Sequence, residues 1–89
     1  MRINNKYKLR KVAGESVVIM QGAYGLDLTK IISFNETSEW LWNELADKDF
    51  NQNDVEALLM SKYEVEETTA KKDSIAWIEK LLKYNLIEQ

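Results

Sequence analysis

The junction at Asn35, where an alternating segment gives way to a helical one, constrains the fold more than any other feature. Before it, Ile32 and Phe34 share one face of an extended segment. Asn35 is a preferred helix N-cap because its side-chain oxygen can accept a hydrogen bond from a first-turn N–H. After it, residues recur at the spacing of one buried helix face, namely Ser38, Leu41, Trp42 and Leu45. The sequence therefore predicts that a strand ends and a helix begins at Asn35.

The chain's length and composition are typical of one small globular domain. Its 89 residues predict a single domain spanning 1–89, with a modest core. It is 45% hydrophobic and 30% charged, too apolar for disorder. No apolar run approaches the roughly 18 residues of a membrane span, and the N-terminus does not resemble a signal peptide. We therefore predict a cytoplasmic protein with no membrane partner.

The residue types that are missing exclude much chemistry. The chain has no cysteine and no histidine, so thiolate nucleophiles and the usual zinc ligands are absent. Its three glycines form neither a phosphate loop nor a dinucleotide fingerprint. Acidic clusters such as Glu64, Glu66 and Glu67 resemble solvated helix starts. We predict no metal, no cofactor and no enzymatic activity.

The first third of the chain is predicted to be β-structure. Three strands are expected, over Tyr7–Ala13, Ser16–Gln21 and Leu28–Phe34. A turn at Gly14-Glu15 joins the first two, and a loop over Gly22–Gly25 follows the second. The second strand is an apolar run suited to a central position buried on both faces. In the third, Ile31 and Ser33 face away from Ile32, and Lys30 is expected at a sheet edge.

Three helices are predicted after the strands. The first runs from about Glu36 to Asp47. Asn51, with Asp54 three residues later, caps a second helix that ends near Tyr63 and buries Val55, Leu58, Leu59 and Lys62 or Tyr63. A third runs from Glu66 to about Tyr84, with Asn85 in a left-handed conformation, and the tail at Leu86-Ile87 adds to the core or the sheet. The predicted fold is α+β, a three-stranded antiparallel sheet followed by three helices in a winged-helix-like layout.

The third helix carries a wide apolar arc that allows two interpretations. Its core line is Ala70, Ser74, Trp77 and Leu81, with Ile78 beside it. Ile75 and Leu82 lie about 120–140° around the helix from Ala70, whereas packing on one core needs a stripe of about 100°. Either a small domain wraps this helix fully, or Ile75, Leu82 and the stem of Lys71 line an open groove. Trp40 also allows two interpretations, in which its side chain is either partly exposed or covers a neighbouring helix.

A winged-helix-like layout raises DNA binding as a hypothesis. Phosphate contacts by Lys and Arg supply most non-specific DNA affinity. This chain carries a net charge of −3, and its charge runs are typical of solvated faces. Composition therefore argues against a nucleic-acid partner.

The order of several motifs resembles the PqqD family (coenzyme PQQ synthesis protein D). The resemblance extends from about Tyr7 to Glu88. The motifs that carry it are Leu9-Arg10, Gly14-Glu15, Leu28-Thr29-Lys30-Ile31-Ile32-Ser33-Phe34-Asn35-Glu36-Thr37, Trp42, Leu45, Val55, Leu59, Tyr63-Glu64-Val65, Asp73, Leu81 and Leu86-Ile87-Glu88. Two positions depart from the family pattern, Phe34 where leucine is usual and Asn51 where Thr or Ser is more common.

The resemblance implies a peptide-binding module of the kind called a RiPP recognition element. Such modules bind the leader of a ribosomally made precursor peptide and present it to a modifying enzyme, a radical SAM protein in PQQ synthesis. The leader adds as a strand beside the third strand and lies against the third helix. The implied peptide-binding residues are Thr29, Lys30, Ile31, Ile32, Ser33, Lys71, Ile75, Ile78 and Leu82. Open strand edges can also pair between copies, which predicts a homodimer as one assembly. The alternative is a winged-helix regulator that binds DNA or a protein.

Overall fold

The computed structural model describes residues 1–20 and 30–89. Its elements are β1 (Arg2–Ile3), β2 (Leu9–Val12), β3 (Glu15–Met20), β4 (Lys30–Phe34), α1 (Glu36–Leu45), α2 (Gln52–Lys62), α3 (Glu67–Lys83) and β5 (Ile87–Glu88). The predicted α+β class, with a three-stranded antiparallel sheet followed by three helices, is confirmed. The predicted loop at 22–25, and the strand residues Gln21, Leu28 and Thr29, lie outside the described residues.

The sheet has the order β2-β3-β4, with β3 in the centre as predicted. Val18 pairs with Leu9 on one side and Ile32 on the other. Val17 and Val18 point to opposite faces and are both buried, whereas Ile19 is 37% exposed. The prediction that β3 is buried on both faces therefore holds only for its first half.

The turn between β2 and β3 lies at Ala13-Gly14, one residue earlier than predicted. Val12 pairs with Glu15, so Glu15 begins β3. Ala13 has φ 53° and Gly14 has φ 84°. Two positive φ values give a two-residue hairpin turn whose twist matches the flanking strands. The sequence pattern centred the turn one residue too late because Ala13 is an unusual residue for a left-handed position.

The helix caps follow the sequence closely. The Asn35 side chain accepts a hydrogen bond from the Ser38 N–H at 2.8 Å. Asn51 and Asp54 form the predicted capping box, with reciprocal hydrogen bonds of 2.9 Å each. Helix α1 ends at Leu45 rather than at Asp47, which has φ 61° in the following turn. In α1, local capping chemistry therefore fixes the start of the helix better than its end.

Helix α3 ends in a Schellman motif centred on Asn85, which has the predicted left-handed φ of 57°. The Leu86 N–H donates to the Leu81 carbonyl at 2.9 Å, and the Asn85 N–H donates to the Leu82 carbonyl at 3.1 Å. This reversal buries Leu86 and Ile87, which the sequence had assigned to the core or a sheet. The core line of α3 is also confirmed, since the buried residues are Ala70, Ser74, Trp77, Ile78 and Leu81.

A second small sheet joins the two ends of the chain. In it, β1 and β5 are antiparallel, and Ile3 pairs with Ile87. The Met1 backbone also pairs with that of Phe50, because the Phe50 N–H donates to the Met1 carbonyl at 2.8 Å. The sequence did not predict β1, since two residues are too few to show a period.

The buried side chains of the strands and of the three helices form one hydrophobic cluster. Phe34 and Trp42 meet edge to face, with ring centroids 5.4 Å apart. On α2, Val55 and Leu59 are buried, Leu58 and Tyr63 are half-buried, and Lys62 is exposed. Trp40 covers the end of α2, with its ring 6.2 Å from that of Tyr63 and 4.4 Å from Lys62 Nζ. Both expectations for Trp40 are met, since its side chain is only half-buried and also packs against the end of a neighbouring helix.

Candidate functional site

Strand β4 forms one edge of the main sheet. Within residues 1–20 and 30–89, it pairs with β3 alone. Ile31 is 62% exposed, while Ile32 and Phe34 are buried beneath the sheet. The Ile32 side chain is therefore covered by the core, and the Ile32 backbone pairs with Val18 of β3. Lys30 is exposed at this edge, as predicted.

The register shows which backbone groups of β4 face outward. In a two-residue hairpin the flanking pair, here Val12 and Glu15, exchange both hydrogen bonds. Bonded and non-bonded pairs then alternate along an antiparallel sheet, so the Val17 groups point toward β2. Val17 is opposite Ser33, and Ser33 therefore points away from β3. The same holds for Ile31, two residues earlier. We call the outward N–H and C=O groups of Ile31 and Ser33 the open edge.

The end of α3 lies beside the open edge. Lys80 Nζ donates a hydrogen bond to the Ser33 carbonyl at 3.2 Å, in agreement with the outward direction of that group. Lys80 Nζ also lies 5.8 Å from the centre of the Phe34 ring. Lys30 Nζ lies 6.0 Å from the centre of the Tyr84 ring. Helix α3 thus passes β4 in the opposite direction, with Lys80 near one end of the strand and Tyr84 near the other.

Three predicted site residues lie on the other flank of α3. At about 100° per residue, Lys71, Ile75 and Leu82 are about 140–180° around the helix from Lys80. Ile75 and Leu82 are half-buried, and Leu82 packs against the core. Ile78 is only 8% exposed. The groove assigned to these residues remains a prediction, but the flank beside the open edge belongs to Lys80, Lys83 and Tyr84.

Sequence reasoning missed this flank for a simple reason. A helical wheel shows which residues are apolar, but not which side of the helix a strand passes. The signal that was available is polar, since Lys80, Lys83 and Tyr84 follow one another around the last turns of α3. Apolar periodicity gives such residues no weight.

A cavity of about 390 Å³ lies where α1, α2 and α3 meet, next to Lys80. Its apolar lining is Leu41, Leu59, Ala76 and Trp77, and its polar lining is Asn35, Thr37, Ser38, Asp73 and Lys80. The buried Trp77 Nε1 has no hydrogen-bond partner among the described residues. The size and lining of the cavity fit one or two side chains of a peptide.

Glu39 ties α1 to the β2–β3 hairpin. Its carboxylate accepts a hydrogen bond from the Ser16 hydroxyl at 2.6 Å and one from Lys11 Nζ at 3.4 Å. The Ser16 hydrogen bond, assisted by Lys11, lowers the pKa of the Glu39 carboxyl below its ordinary value, although desolvation opposes this shift. These two hydrogen bonds hold the β2–β3 hairpin against the first turn of α1, next to the end of β4.

The described residues contain no group of three or more Asp and Glu side chains that could hold a metal ion. No helix among them is long and apolar enough to cross a membrane. The features that the site does offer are outward backbone groups with no neighbouring strand among the described residues, exposed apolar surface and lysines. These are the means by which a strand edge binds an extended peptide.

A comparison with protein-family models decides the family. The model described as Coenzyme PQQ synthesis protein D (PqqD) matches residues 15–87. The chain belongs to the PqqD family. The matched range includes β4 and α3, and therefore both sides of the candidate site; β1 and β2 lie before it. No curated protein and no solved structure matches the chain. The description of this family refers to PQQ synthesis.

Proposed function

We propose that this protein binds the leader of a ribosomally made precursor peptide as an extra strand on β4. It then presents the peptide to a modifying enzyme, a radical SAM protein or another class, in the synthesis of PQQ or a related product. The observation that carries this proposal is the open edge, whose Ile31 and Ser33 groups face outward beside α3. Membership of the PqqD family supports the same role.

The site offers an extended peptide both affinity and selectivity. Hydrogen bonds to Ile31 and Ser33 would supply sequence-independent affinity, and alternate peptide side chains would supply specificity. On the outer face, the 62% exposed Ile31 side chain can pair with an apolar cross-strand neighbour. On the other face, peptide side chains point toward the flank of α3 that bears Lys80. Micromolar binding, about −8 kcal/mol, is expected because ordering the peptide offsets part of the gain.

A binding role requires no catalytic group, which suits a chain without histidine or cysteine. The DNA-binding alternative has little support in the structure. Helix α2 carries a single lysine, Lys62, against Asp54 and Glu56. Helix α3 carries four lysines, but they are interspersed with Glu67, Asp73 and Glu79, so the two helices do not share one basic face. A DNA reader normally concentrates basic residues on one face.

The test is an NMR titration of ¹⁵N-labelled protein with a synthetic peptide that corresponds to the N-terminal half of a candidate precursor peptide. The largest amide shifts are expected at Lys30–Phe34 and from Ala76 to Tyr84. Shifts confined to Trp40–Tyr63 would move the site to the α1–α2 region and favour the regulator. Shifts concentrated near Lys71 and Ile75 would instead restore the originally predicted groove.

Two substitutions at Ile31 separate backbone pairing from side-chain contact. Ile31→Pro removes an outward N–H and should abolish peptide binding, while proline is tolerated on an edge strand. Ile31→Ala removes only the side chain and should weaken binding less. Thermal melts of both variants check that the fold survives. If Ile31→Pro binds the peptide as tightly as the wild type does, strand addition on β4 is contradicted.

A further inference from the structure

Three lysines gather along the open edge. Lys80 lies at the Ser33 carbonyl, and Lys30 lies beside Tyr84. Lys83 approaches the same ring, with Nζ 5.6 Å from its centre. We call Lys30, Lys80 and Lys83 the lysine cluster. All three are exposed, and Lys83 lies about 60° around α3 from Lys80.

The lysine cluster has no carboxylate partner among the described residues. The ion pairs found there, Arg2–Asp49 and Lys11–Glu39, involve none of its members. Two ammonium groups share the Tyr84 ring, although like charges repel. This positive site lies on a chain whose net charge is −3. An anionic ligand would be attracted here and repelled by most of the remaining surface.

We propose that the peptide recognised at the open edge is acidic, with carboxylates that bind the lysine cluster. This inference rests on the proposed function and adds the chemical class of the peptide. Lys30 and Ser33 are about 10 Å apart along the strand, which places suitable Asp or Glu residues two to four positions apart in the peptide. Charge complementarity then fixes the register of the added strand, which backbone hydrogen bonds alone leave free.

Lys80 has a further part in this scheme. In the free protein its ammonium satisfies the Ser33 carbonyl, which is an open-edge group. An incoming peptide N–H takes over that carbonyl, and the ammonium is then available to a peptide carboxylate. After this exchange, the Ser33 carbonyl and the Lys80 ammonium each still have a hydrogen-bond partner. The competing explanation is that these lysines only protect an exposed edge from self-association.

The experiment is a selection from a displayed library of random 12-residue peptides at about 50 mM salt, where exposed charges are weakly screened. The bait is the full chain in three forms, namely wild type, the triple variant Lys30→Gln/Lys80→Gln/Lys83→Gln, and a control variant, Lys6→Gln/Lys8→Gln/Lys48→Gln. The control residues are exposed lysines outside the lysine cluster. Both triple variants lose three positive charges, so the control matches the change in net charge.

The wild type and the control variant should both enrich peptides rich in Asp and Glu, and the cluster variant should lose this enrichment while still selecting peptides. Equal acid content for all three baits would overturn the inference but leave the proposed function intact. Self-association of the cluster variant with an unchanged peptide composition would support edge protection instead. Failure of the wild type to enrich any peptide would overturn both proposals.

Affinity measurements give a second readout. The most enriched peptide is compared with its Asp→Asn and Glu→Gln analogue by fluorescence anisotropy. The analogue should bind wild type about threefold to tenfold more weakly, the range expected for one or two exposed ion pairs. The cluster variant should bind both peptides equally. A difference that persists in the cluster variant would place the carboxylates elsewhere.

Discussion

At the scale of single residues, Glu39 shows how one side chain can connect distant parts of the chain. It lies in the first turn of α1, where the helix dipole favours a negative charge. It also binds Ser16 and Lys11 from the hairpin, 23 and 28 positions away. Neither partner was predictable from the sequence, because only the folded chain brings the hairpin to this helix.

The lowered pKa of Glu39 predicts an acid-sensitive contribution to stability. The folded-state pKa lies below that of the unfolded chain, about 4.3. The contribution is therefore complete above about pH 4.3 and is lost as the pH falls through the folded-state pKa. Glu39→Gln should lower the free energy of unfolding at pH 7 and reduce its dependence on pH in the acid range. Urea melts at pH 7 and pH 3.5 measure both quantities.

Glu36→Gln is the matched control, since Glu36 lies in the same helical turn and is exposed. Both variants lose one negative charge near the same N-terminus. If the two lose stability and pH dependence equally, the helix dipole alone explains the effect, and the hydrogen bonds from the hairpin contribute nothing measurable.

At the scale of elements, one side of α3 packs in the core and another side lies beside the open edge. Its core line joins the main cluster, and its last turns pass the open edge. The wide apolar arc that suggested a groove corresponds to half-buried residues, Ile75 and Leu82. The arc alone could not distinguish core from groove, because that depends on which neighbours cover each flank.

Three aspartate substitutions along α3 separate its rim from its core. Leu81 is 1% exposed, so Leu81→Asp buries an unpaired charge and should unfold the domain. Ile75→Asp should leave most of the fold intact, because position 75 is half-buried and an aspartate there can turn its carboxylate toward water. Leu82→Asp should fall between them, since Leu82 packs against the core. Thermal melts rank the three. Similar melting of Ile75→Asp and Leu81→Asp would show that the whole arc is core.

At the scale of the whole molecule, the chain ends are part of the fold. The β1–β5 pair closes the structure, and Ile3 is 8% exposed. Arg2 reaches the Asp47 carbonyl at 2.9 Å, which adds a contact to the turn after α1. Arg2 and Ile3 lie outside the range that the family model matches, whereas their partners Asp47 and Ile87 lie within it. These contacts are therefore a feature of this chain that the family assignment does not describe.

Ile3→Ala should lower the free energy of unfolding by about 2–5 kcal/mol, because a buried isoleucine is truncated and leaves a cavity. Lys6→Ala, at an exposed position in the same segment, should change it by less than about 0.5 kcal/mol. Chemical denaturation of the two variants provides the measurement. An Ile3→Ala variant as stable as wild type would mean that β1 is dispensable for the core.

The sequence by itself determined the features that are set within a few residues. Asn35 and Asn51 fix helix starts through their own side chains, Asn85 fixes a helix end, and Ile31 and Ile32 alternate in the order the pattern predicts. Such features depend on hydrogen bonds and periodicities only a few residues long. The motif order was sufficient to indicate the family as well.

Only the tertiary structure decided which elements meet. The crossing of α3 and β4 places Lys80 at Ser33, 47 positions away, and leaves Lys71 on the opposite flank. The same holds for β1, whose two residues are a strand only because Ile87 lies opposite Ile3. The physical reason is that helix direction and strand register are set by packing over the whole core, which no local pattern contains.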